Sequence, residues 1–458
     1  MAAAKSSPDA LVAAAVRELP TGATADARLT HSTWTTIRFA NSRVHQPLVE
    51  RHAYLSLRVA EGGRLGTATT VDLTPQGVAA VVRAARSMAR VAPVEKKFPG
   101  FPKDGGPRPG RVAYSSTTVA TTPEVATRIA NQILAAAEEG SPGGRTAGVL
   151  NIGGERLRVV NSTGLDRTTE SSAAQTNVLV DRPERDPPVS GWSEGAHWDL
   201  RSLDAARIGR EAAERVATQP PEAVPPGEYR VLLRAPAVSD LVGFLAYLGF
   251  GGNGEVEGWS CLKGRRGKRI APSAVHLVDD ARSRRTLPSS IDYEGVATRP
   301  LALIDHGVAG PATTDVLTSG RLRKPLTGHG LPPEAPQGNY GPIPSHMLLA
   351  PGTAKEEELV RATRRGILVT RFHYVRTVDP GKSVITGMTR DGTYRIENGE
   401  IVGPVRNLRF TQSVLGALHD TELLGRDARL MGSERGSPAA TCPDLVTGAF
   451  RFTSATLF

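Results

Sequence analysis

Hydrophobic positions in the first 220 residues alternate between strand-like and helix-like patterns. In two places apolar residues at helical spacing follow a threonine cap and a proline. This pattern predicts helices from Thr74-Pro75 to about Val91 and from Thr122-Pro123 to about Glu139. We also predict strands at Trp34–Phe39 and Ala53–Val59, a hairpin at Gly148–Asn161 that turns around Gly153-Gly154, and a helix at Ser202–Thr218.

The pattern changes after a proline-rich segment, Gln219–Gly227, which we interpret as a stiff linker. A strand at Tyr229–Arg234 and a mostly apolar helix at Val238–Phe250 follow it. The remainder is strand-and-turn sequence, interrupted by one helix at Ala354–Arg365 and marked by an Asn398-Gly399 hairpin turn. The expected fold class is therefore α+β in two domains, with a mixed α/β domain at residues 1–220 and a strand-rich domain at residues 221–458.

Composition agrees with a folded protein. The chain has 458 residues, of which 39% are hydrophobic and 22% charged, enough apolar material for a sizeable core. Its two cysteines, Cys261 and Cys442, exclude a disulfide scaffold or a cysteine-rich zinc module. Ser7 and Pro8 predict an ordinary helix start, and no apolar run approaches the ~20 residues that span a bilayer. We expect a cytoplasmic protein with no membrane partner.

The formal net charge is +10, but the cations are spread thinly except in the run Lys263–Arg269. A nucleic-acid binder usually gathers its cations on one face and interleaves aromatic residues for base stacking. Aromatic residues are 5% of the chain and none lies in that run. Nucleic acid is therefore not an expected partner, and the charge is assigned to solubility and electrostatic steering.

Catalytic motifs are not apparent from the residues alone. The chain has no His-Glu-x-x-His sequence, although His306, His329, His346 and His373 could converge with a cysteine across distant segments. Ser260 lacks the second glycine of a nucleophile elbow. The residues by themselves thus predict a two-domain protein without a self-evident active site.

An ordered series of segments nevertheless resembles the TldD/PmbA family, also known as peptidase U62 or modulators of DNA gyrase. In the C-terminal half it includes Gly258-Trp-Ser260, Val278-Asp279-Asp280, Asp292-Tyr-Glu294-Gly295, Leu303–Val308, Thr327–Gly330, Leu349–Gly352, Ile396–Ile401 and Pro404–Phe410. The N-terminal half agrees more loosely, through Gly62–Thr67 and Val160–Gly164. The order of these segments carries the resemblance.

The family has two branches, which differ on the helix after the first strand of the C-terminal domain. The TldD branch carries His-Glu-x-x-x-His there, and a later cysteine completes a zinc site. In this chain Gly243 and Leu248 occupy the two histidine positions and Phe244 the glutamate position. None of these side chains can ligate zinc or transfer a proton. Cys442 lies beyond the segment that carries the family's cysteine, so no ligand role is assigned to it. The chain therefore resembles the branch called TldE or PmbA.

The resemblance implies a non-catalytic subunit of a heterodimeric metallopeptidase. A TldD-type partner would hold the zinc, with no cofactor in this chain, and the complex would cleave unfolded or extended peptides. Such complexes remove leader peptides from modified precursors or degrade small unfolded proteins. For substrate contact in this chain we name His329, Tyr340 and His346, near a Gly/Pro-rich segment in which His346 stands where family members often have Asn.

Two alternatives stay open at this point. One is a stand-alone hydrolase with an unrecognised nucleophile, for which Ser260 and Cys261 are the residues to test. The other is a regulatory protein that binds peptides or associates with DNA gyrase.

Overall fold

The computed structural model of the protein describes residues 8–17, 19–103, 108–334, 340–432 and 439–456. The α-helices are α1 (Pro8–Arg17), α2 (Pro75–Val91), α3 (Ser116–Val119), α4 (Pro123–Gly140), α5 (Ala205–Glu214), α6 (Ala235–Leu245), α7 (Gly252–Glu257), α8 (Val316–Leu322), α9 (Glu356–Thr363) and α10 (Val414–His419). Strands β1–β6 are Ala23–Ala40, Arg43–Glu61, Arg64–Thr70, Arg145–Asn161, Asp166–Arg182 and Val189–His197. Strands β7–β17 are Gly227–Leu233, Leu277–Asp279, Leu301–Asp305, Val308–Ala309, His346–Leu349, Gly366–Asp379, Val384–Glu397, Glu400–Pro404, Leu408–Ser413, Thr421–Met431 and Ala439–Ala455.

The first six strands form one antiparallel sheet in the order β3-β2-β1-β4-β5-β6. The two strands predicted near residues 34 and 53 are inner parts of the much longer β1 and β2. The predicted caps are confirmed, because the Thr74 and Thr122 hydroxyls accept hydrogen bonds from the first turns of α2 and α4. Ser7, the predicted cap of α1, lies outside the described residues.

The predicted hairpin around Gly153-Gly154 is wrong. Residues 145–161 are one continuous strand, β4, which pairs with β1 on one side and β5 on the other. A Cβ atom at Gly153 would lie 2.1 Å from the Thr33 carbonyl oxygen, and one at Gly154 would lie 2.2 Å from that of Ser171. The glycines thus permit close approach of neighbouring strands rather than a chain reversal.

The two faces of the first sheet are covered differently. Ala25, Ala27 and Leu29 of β1 point to one face, where they pack with residues of α1 and α2. Their neighbours Asp26 and Arg28 point to the other face and are equally buried. Part of the C-terminal domain covers that second face, so the alternation of β1 separates an apolar layer from a buried charged layer.

The second sheet contains a closed ring of five strands. Strand β17 pairs with both β15 and β7, and the order β17-β15-β13-β12-β7 returns to β17. The aromatic rings of Phe372, Phe410 and Phe450 meet within the core of this domain, with centroids 4.5–5.7 Å apart. Closure pairs both edges of strands that would otherwise end the sheet.

The architecture confirms the expected α+β fold class. The two sheets share no strand among the described residues, and the expected boundary at 220/221 falls between α5 and β7. Positive φ angles at Asn398 and Gly399 place the predicted turn between β13 and β14. In the described part of the chain, no helix combines the length and apolar composition needed to cross a bilayer.

Candidate functional site

Helix α6 carries the positions that the resemblance assigns to the zinc motif of the TldD branch, and the side-chain carboxylate of Asp444 in β17 fixes its start. Asp444 of β17 accepts hydrogen bonds from the Ala235 amide at 2.8 Å and from the Arg234 guanidinium at 2.7 Å. A carboxylate at this end also favours the positive pole of the helix dipole. From Ala246 to Phe250 the helix continues as a π-helical turn.

The three motif positions lie on this helix and its π-helical extension. Leu248 is fully buried in the core of the C-terminal domain, and Gly243 is buried with open space where a Cβ would stand. Phe244 is partly buried and contributes to the wall of a cavity. Because these residues offer no electron pair to a metal, the positions do not fit the zinc ion implied by the TldD branch.

The cavity beside Phe244 has a volume of about 210 Å³ and lies between the two domains. The C-terminal domain contributes Asp240 of α6, the β12 segment from Arg371 to Arg376 and Gly432. The N-terminal domain contributes Trp192 and Glu194 of β6. The helix that carries the predicted motif positions therefore lines an interdomain cavity.

A second cavity, of about 320 Å³, adjoins the first and shares Glu194 and Pro236 with it. Its wall is rich in charged side chains, namely Glu211, Glu214, Arg215, Arg234, Glu356, Arg426, Asp427, Arg429 and Asp444. We call the two cavities together the interdomain groove. Its charged groups could bind the backbone and termini of a peptide, and β6 runs along it as the terminal strand of the first sheet.

Arg371 ties the two domains together at the groove. Its guanidinium lies 3.8 Å from the centre of the Trp192 ring, and its Nε donates to Asp391 at 2.7 Å. The same Asp391 accepts a hydrogen bond from Ser190 of β6 at 2.5 Å. Arg371 and Asp391 are both buried, so this contact is shielded from solvent.

Cys442 lies on β17 and is fully buried. Burial, reinforced by the nearby Asp240 carboxyl group, raises the pKa of its thiol far above the usual range. A protonated thiol is a poor metal ligand. No ligand role is assigned to Cys442.

Two of the residues predicted to contact substrate meet at one carboxylate. His329 is buried, and its Nε2 lies 3.1 Å from Asp279 Oδ1, while His346 Nδ1 lies 4.0 Å from the same oxygen. Burial alone would raise the pKa of Asp279, but the hydrogen bond with His329, the nearby His346 ring and the His346 amide together lower it. Burial lowers the pKa of His346 despite this carboxylate.

Tyr340 lies apart from that pair. Its side chain is half exposed and packs edge-on against Tyr247, with ring centroids 5.1 Å apart. Tyr340, His329 and His346 are not among the described residues that line the interdomain groove. Their contact with substrate stays a prediction.

The four histidines considered as metal ligands do not converge. His373 lines the groove and His329 meets His346, whereas His306 stacks on His276 near Asp305. Within the described ranges, His276, Asp305 and His306 form the one group of three or more side chains able to hold a metal. Sequence reasoning had considered His306 but not the other two.

Ser260 and Cys261 both have structural contacts. The Ser260 hydroxyl donates to the Gly249 carbonyl at 2.8 Å and accepts from the Leu262 amide. Cys261 is buried, which raises the pKa of its thiol to about 11. Neither residue is available as a nucleophile in this conformation.

A buried charged cluster joins the domains on the second face of the first sheet, and sequence reasoning missed it. Arg58 of β2 donates to Asp26 at 2.7 Å and to Glu294 at 2.9 Å. Burial and the neighbouring carboxylates raise the pKa of Glu294 to about 8, although Arg58 opposes this shift. One pattern in the sequence could have indicated this cluster. Charged residues alternate with apolar ones in two strands, namely Asp26 and Arg28 in β1 and Arg58 in β2.

Comparisons with known proteins agree with this architecture. Residues 226–454 match the PmbA/TldA metallopeptidase C-terminal domain, and residues 25–89 match the PmbA/TldA metallopeptidase domain 1. The fold and the matched domains define a protein of the metallopeptidase-like class. The chain belongs to the TldD/PmbA family.

Among curated relatives, a metalloprotease of Methanothermobacter thermautotrophicus is 28% identical over 239 residues, which cover 50% of each chain. A metalloprotease of Methanocaldococcus jannaschii is 26% identical over 226 residues, 48% of each chain. The matched region therefore spans about half the length of these relatives.

Solved structures match over nearly the whole chain. TldE from Thermococcus kodakarensis gives a TM-score of 0.82 at 20% identity and covers 94% of this chain and 97% of its own. A candidate modulator of a DNA gyrase from Thermotoga maritima gives 0.82 at 21% identity, covering 97% and 99%. At these identities the likeness shows a shared fold.

Proposed function

We propose that this chain is a TldE-type subunit that forms a heterodimer with a TldD-type zinc subunit in the cytoplasm. The observation that carries the proposal is the composition of helix α6. Gly243, Phe244 and Leu248 stand at the motif positions while the helix still borders the interdomain groove. This chain would then supply binding surface, and peptide hydrolysis would take place at the zinc of the partner.

The proposed substrate is an unfolded or extended peptide, such as a leader segment or a small unfolded protein. Strand β6 supports this, because it is the terminal strand of its sheet and Trp192, Ser193 and Glu194 line the groove. A peptide that pairs with a strand edge is bound mainly through its backbone, with little dependence on sequence. The charged side chains along the second cavity would hold the ends of such a peptide.

The first test compares this chain alone with a co-expressed mixture that includes a TldD-type chain carrying His-Glu-x-x-x-His. We expect a 1:1 complex by size-exclusion chromatography with light scattering. Cleavage of an unfolded reporter peptide should require both chains. A His→Ala change in the partner's motif should abolish cleavage without dissociating the complex.

The second test measures zinc and peptidase activity of this chain alone. It should use the variant His276→Ala/His306→Ala, so that the separate histidine cluster does not contribute metal. We expect no stoichiometric zinc and no cleavage. Tightly bound zinc in this variant, together with peptidase activity that a chelator removes, would overturn the proposal.

A further inference from the structure

We infer that His276, Asp305 and His306 form a binding site for a divalent transition-metal ion, separate from helix α6. One ligand atom from each residue lies within 4.8 Å of the other two. We call these three residues the hairpin cluster, because they lie beside the β9–β10 hairpin. The inference rests on the placement of their donor atoms and does not depend on the proposed function.

The strand register brings the three residues together. Leu277 of β8 pairs with Ile304 of β9, which places His276 beside Asp305 at the end of the ladder. The Gly307 amide donates to the Val275 carbonyl at 2.8 Å, and the Ile270 amide donates to the Gly307 carbonyl at 2.8 Å. Both segments that carry ligands are therefore held by backbone hydrogen bonds before any metal arrives.

The turn after Asp305 allows little rearrangement. His306 and Gly307 have positive φ angles of 44° and 85°, and a Cβ at Gly307 would lie 2.2 Å from the Ala271 carbonyl oxygen. The His306 ring stacks on that of His276, with centroids 4.6 Å apart and planes inclined by 23°. A fixed backbone reduces the entropy that ligands lose on binding a metal.

The atoms that face each other are electron-pair donors. His276 Nδ1 lies 3.4 Å from Asp305 Oδ1, and the His306 amide N–H also points at His276 Nδ1, at 3.4 Å. In the His276 tautomer protonated at Nε2, Nδ1 carries an electron pair, and a bound metal ion would replace the long 3.4 Å contact from the His306 amide. Tetrahedral zinc with bonds of about 2.0–2.1 Å needs ligands separated by roughly 3.3 Å, close to this spacing.

His306 has the outer contact that metal-binding histidines usually have. Its Nδ1 lies 3.2 Å from the Ser273 carbonyl oxygen, so an Nδ1–H donates there and leaves the Nε2 electron pair free. Asp305 and His306 are exposed, so their side chains can rotate to bring ligand atoms that now lie within 4.8 Å of one another to the same ion. Solvent can then complete the coordination shell.

Two imidazoles and one carboxylate favour Zn²⁺, Ni²⁺, Co²⁺ or Cu²⁺ over Mg²⁺ or Ca²⁺, which prefer an all-oxygen shell. With three protein ligands and an exposed position, we expect exchangeable binding of one ion per chain. Binding should weaken at acid pH, because protons compete for the imidazole nitrogens.

The test uses the full chain with any affinity tag removed, titrated calorimetrically with ZnCl₂ and followed in parallel by visible absorption with CoCl₂. We expect one ion per chain and a cobalt d–d spectrum typical of nitrogen and oxygen ligands. His276→Ala/His306→Ala should lower the affinity at least ~10-fold, and Asp305→Asn should lower it less. Circular dichroism should show that each variant is folded.

A matched control changes two exposed histidines of the N-terminal domain, His45→Ala/His52→Ala, and should leave binding unchanged. Three results would overturn the inference: no stoichiometric binding by the wild-type chain, unchanged binding in the folded His276/His306 variant, or an equal loss in the control.

Discussion

Arg58 of the N-terminal domain donates a 2.9 Å hydrogen bond to Glu294 of the C-terminal domain, and both side chains are shielded from water. Arg58 also binds Asp26 of its own sheet, so one guanidinium serves two buried carboxyl groups. The contact between the domains therefore includes a buried polar cluster around one guanidinium. Removing one partner from such a buried contact strongly destabilises the folded protein.

We predict that Arg58→Met lowers the free energy of unfolding by about 3 kcal/mol, because Glu294 would stay buried without the hydrogen bond from Arg58 and Asp26 would keep only Arg28 as its cation. Urea denaturation followed by circular dichroism measures this change. Arg145→Met is the matched control, since Arg145 pairs with Asp181 at the surface. If both substitutions lower the free energy of unfolding equally, burial of Arg58 does not explain its contribution to stability.

Stability should depend on pH through Glu294. Burial and nearby carboxylates raise its pKa to about 8 in the folded protein, so the folded state holds its proton more tightly than the unfolded state. This stabilising contribution is fully present below a pH of about 4.5 and is lost as the pH rises through about 8. Its size is about 1.4 kcal/mol for each unit by which the folded pKa exceeds the unfolded pKa. Asp292, whose pKa is raised to about 6 mainly by burial, acts in the same direction over the lower part of this range.

We predict that Glu294→Gln becomes progressively more stable relative to the wild-type protein between pH 5 and pH 8. Denaturation curves at several pH values measure the difference. Glu139→Gln changes an exposed carboxyl group on α4, and its free energy of unfolding should differ from that of the wild-type protein by the same amount at every pH. If the difference in unfolding free energy between Glu294→Gln and the wild-type protein is also the same at every pH, Glu294 does not contribute to the pH dependence.

Substitution of Arg371 should loosen the wall of the interdomain groove. In Arg371→Met the buried Asp391 keeps only Arg390, at 3.8 Å, as a cationic neighbour, and Trp192 loses the guanidinium stacked on its ring. We expect the free energy of unfolding to fall by roughly 3 kcal/mol and proteolysis between the domains to become faster. Arg376→Met alters a neighbouring arginine whose guanidinium lies over exposed Tyr374, and it should leave the proteolysis rate near that of wild type.

Gly243→Ala should stabilise the protein by about 0.5–1 kcal/mol, because alanine is the better helix former. A Cβ at this position meets no atom within 4 Å, so the substitution needs no rearrangement. At Gly249, a Cβ would lie 2.9 Å from Leu245 and 3.1 Å from Leu262. Gly249→Ala should therefore destabilise, and thermal unfolding of both variants tests the contrast.

Local features were predictable from the sequence because their causes are local. The threonine caps of α2 and α4 and the Asn398-Gly399 turn each depend on a few adjacent residues. The residues at motif positions 243, 244 and 248 could likewise be read directly, once a family resemblance indicated where to look.

Other features depend on partners that are distant in the chain. Arg58 and Glu294 are 236 positions apart, and no local pattern links them. Gly153-Gly154 resembles a turn locally, but its role comes from strands β1 and β5 on either side. The interdomain groove and the hairpin cluster were hidden for the same reason, because tertiary packing assembles them.

The closed ring of the C-terminal domain has a consequence for the order of folding. Its first strand, β7, pairs with β17, so the ring cannot close on a ribosome until residues 439–455 have been synthesised. The first sheet is complete by residue 197, and its second face stays uncovered until the C-terminal domain folds. That face carries Asp26, Arg28 and Arg58, which water can solvate, beside a smaller apolar area formed by Leu157 and Val159. The charges that join the finished domains thus also keep part of this face soluble in water before the C-terminal domain is complete.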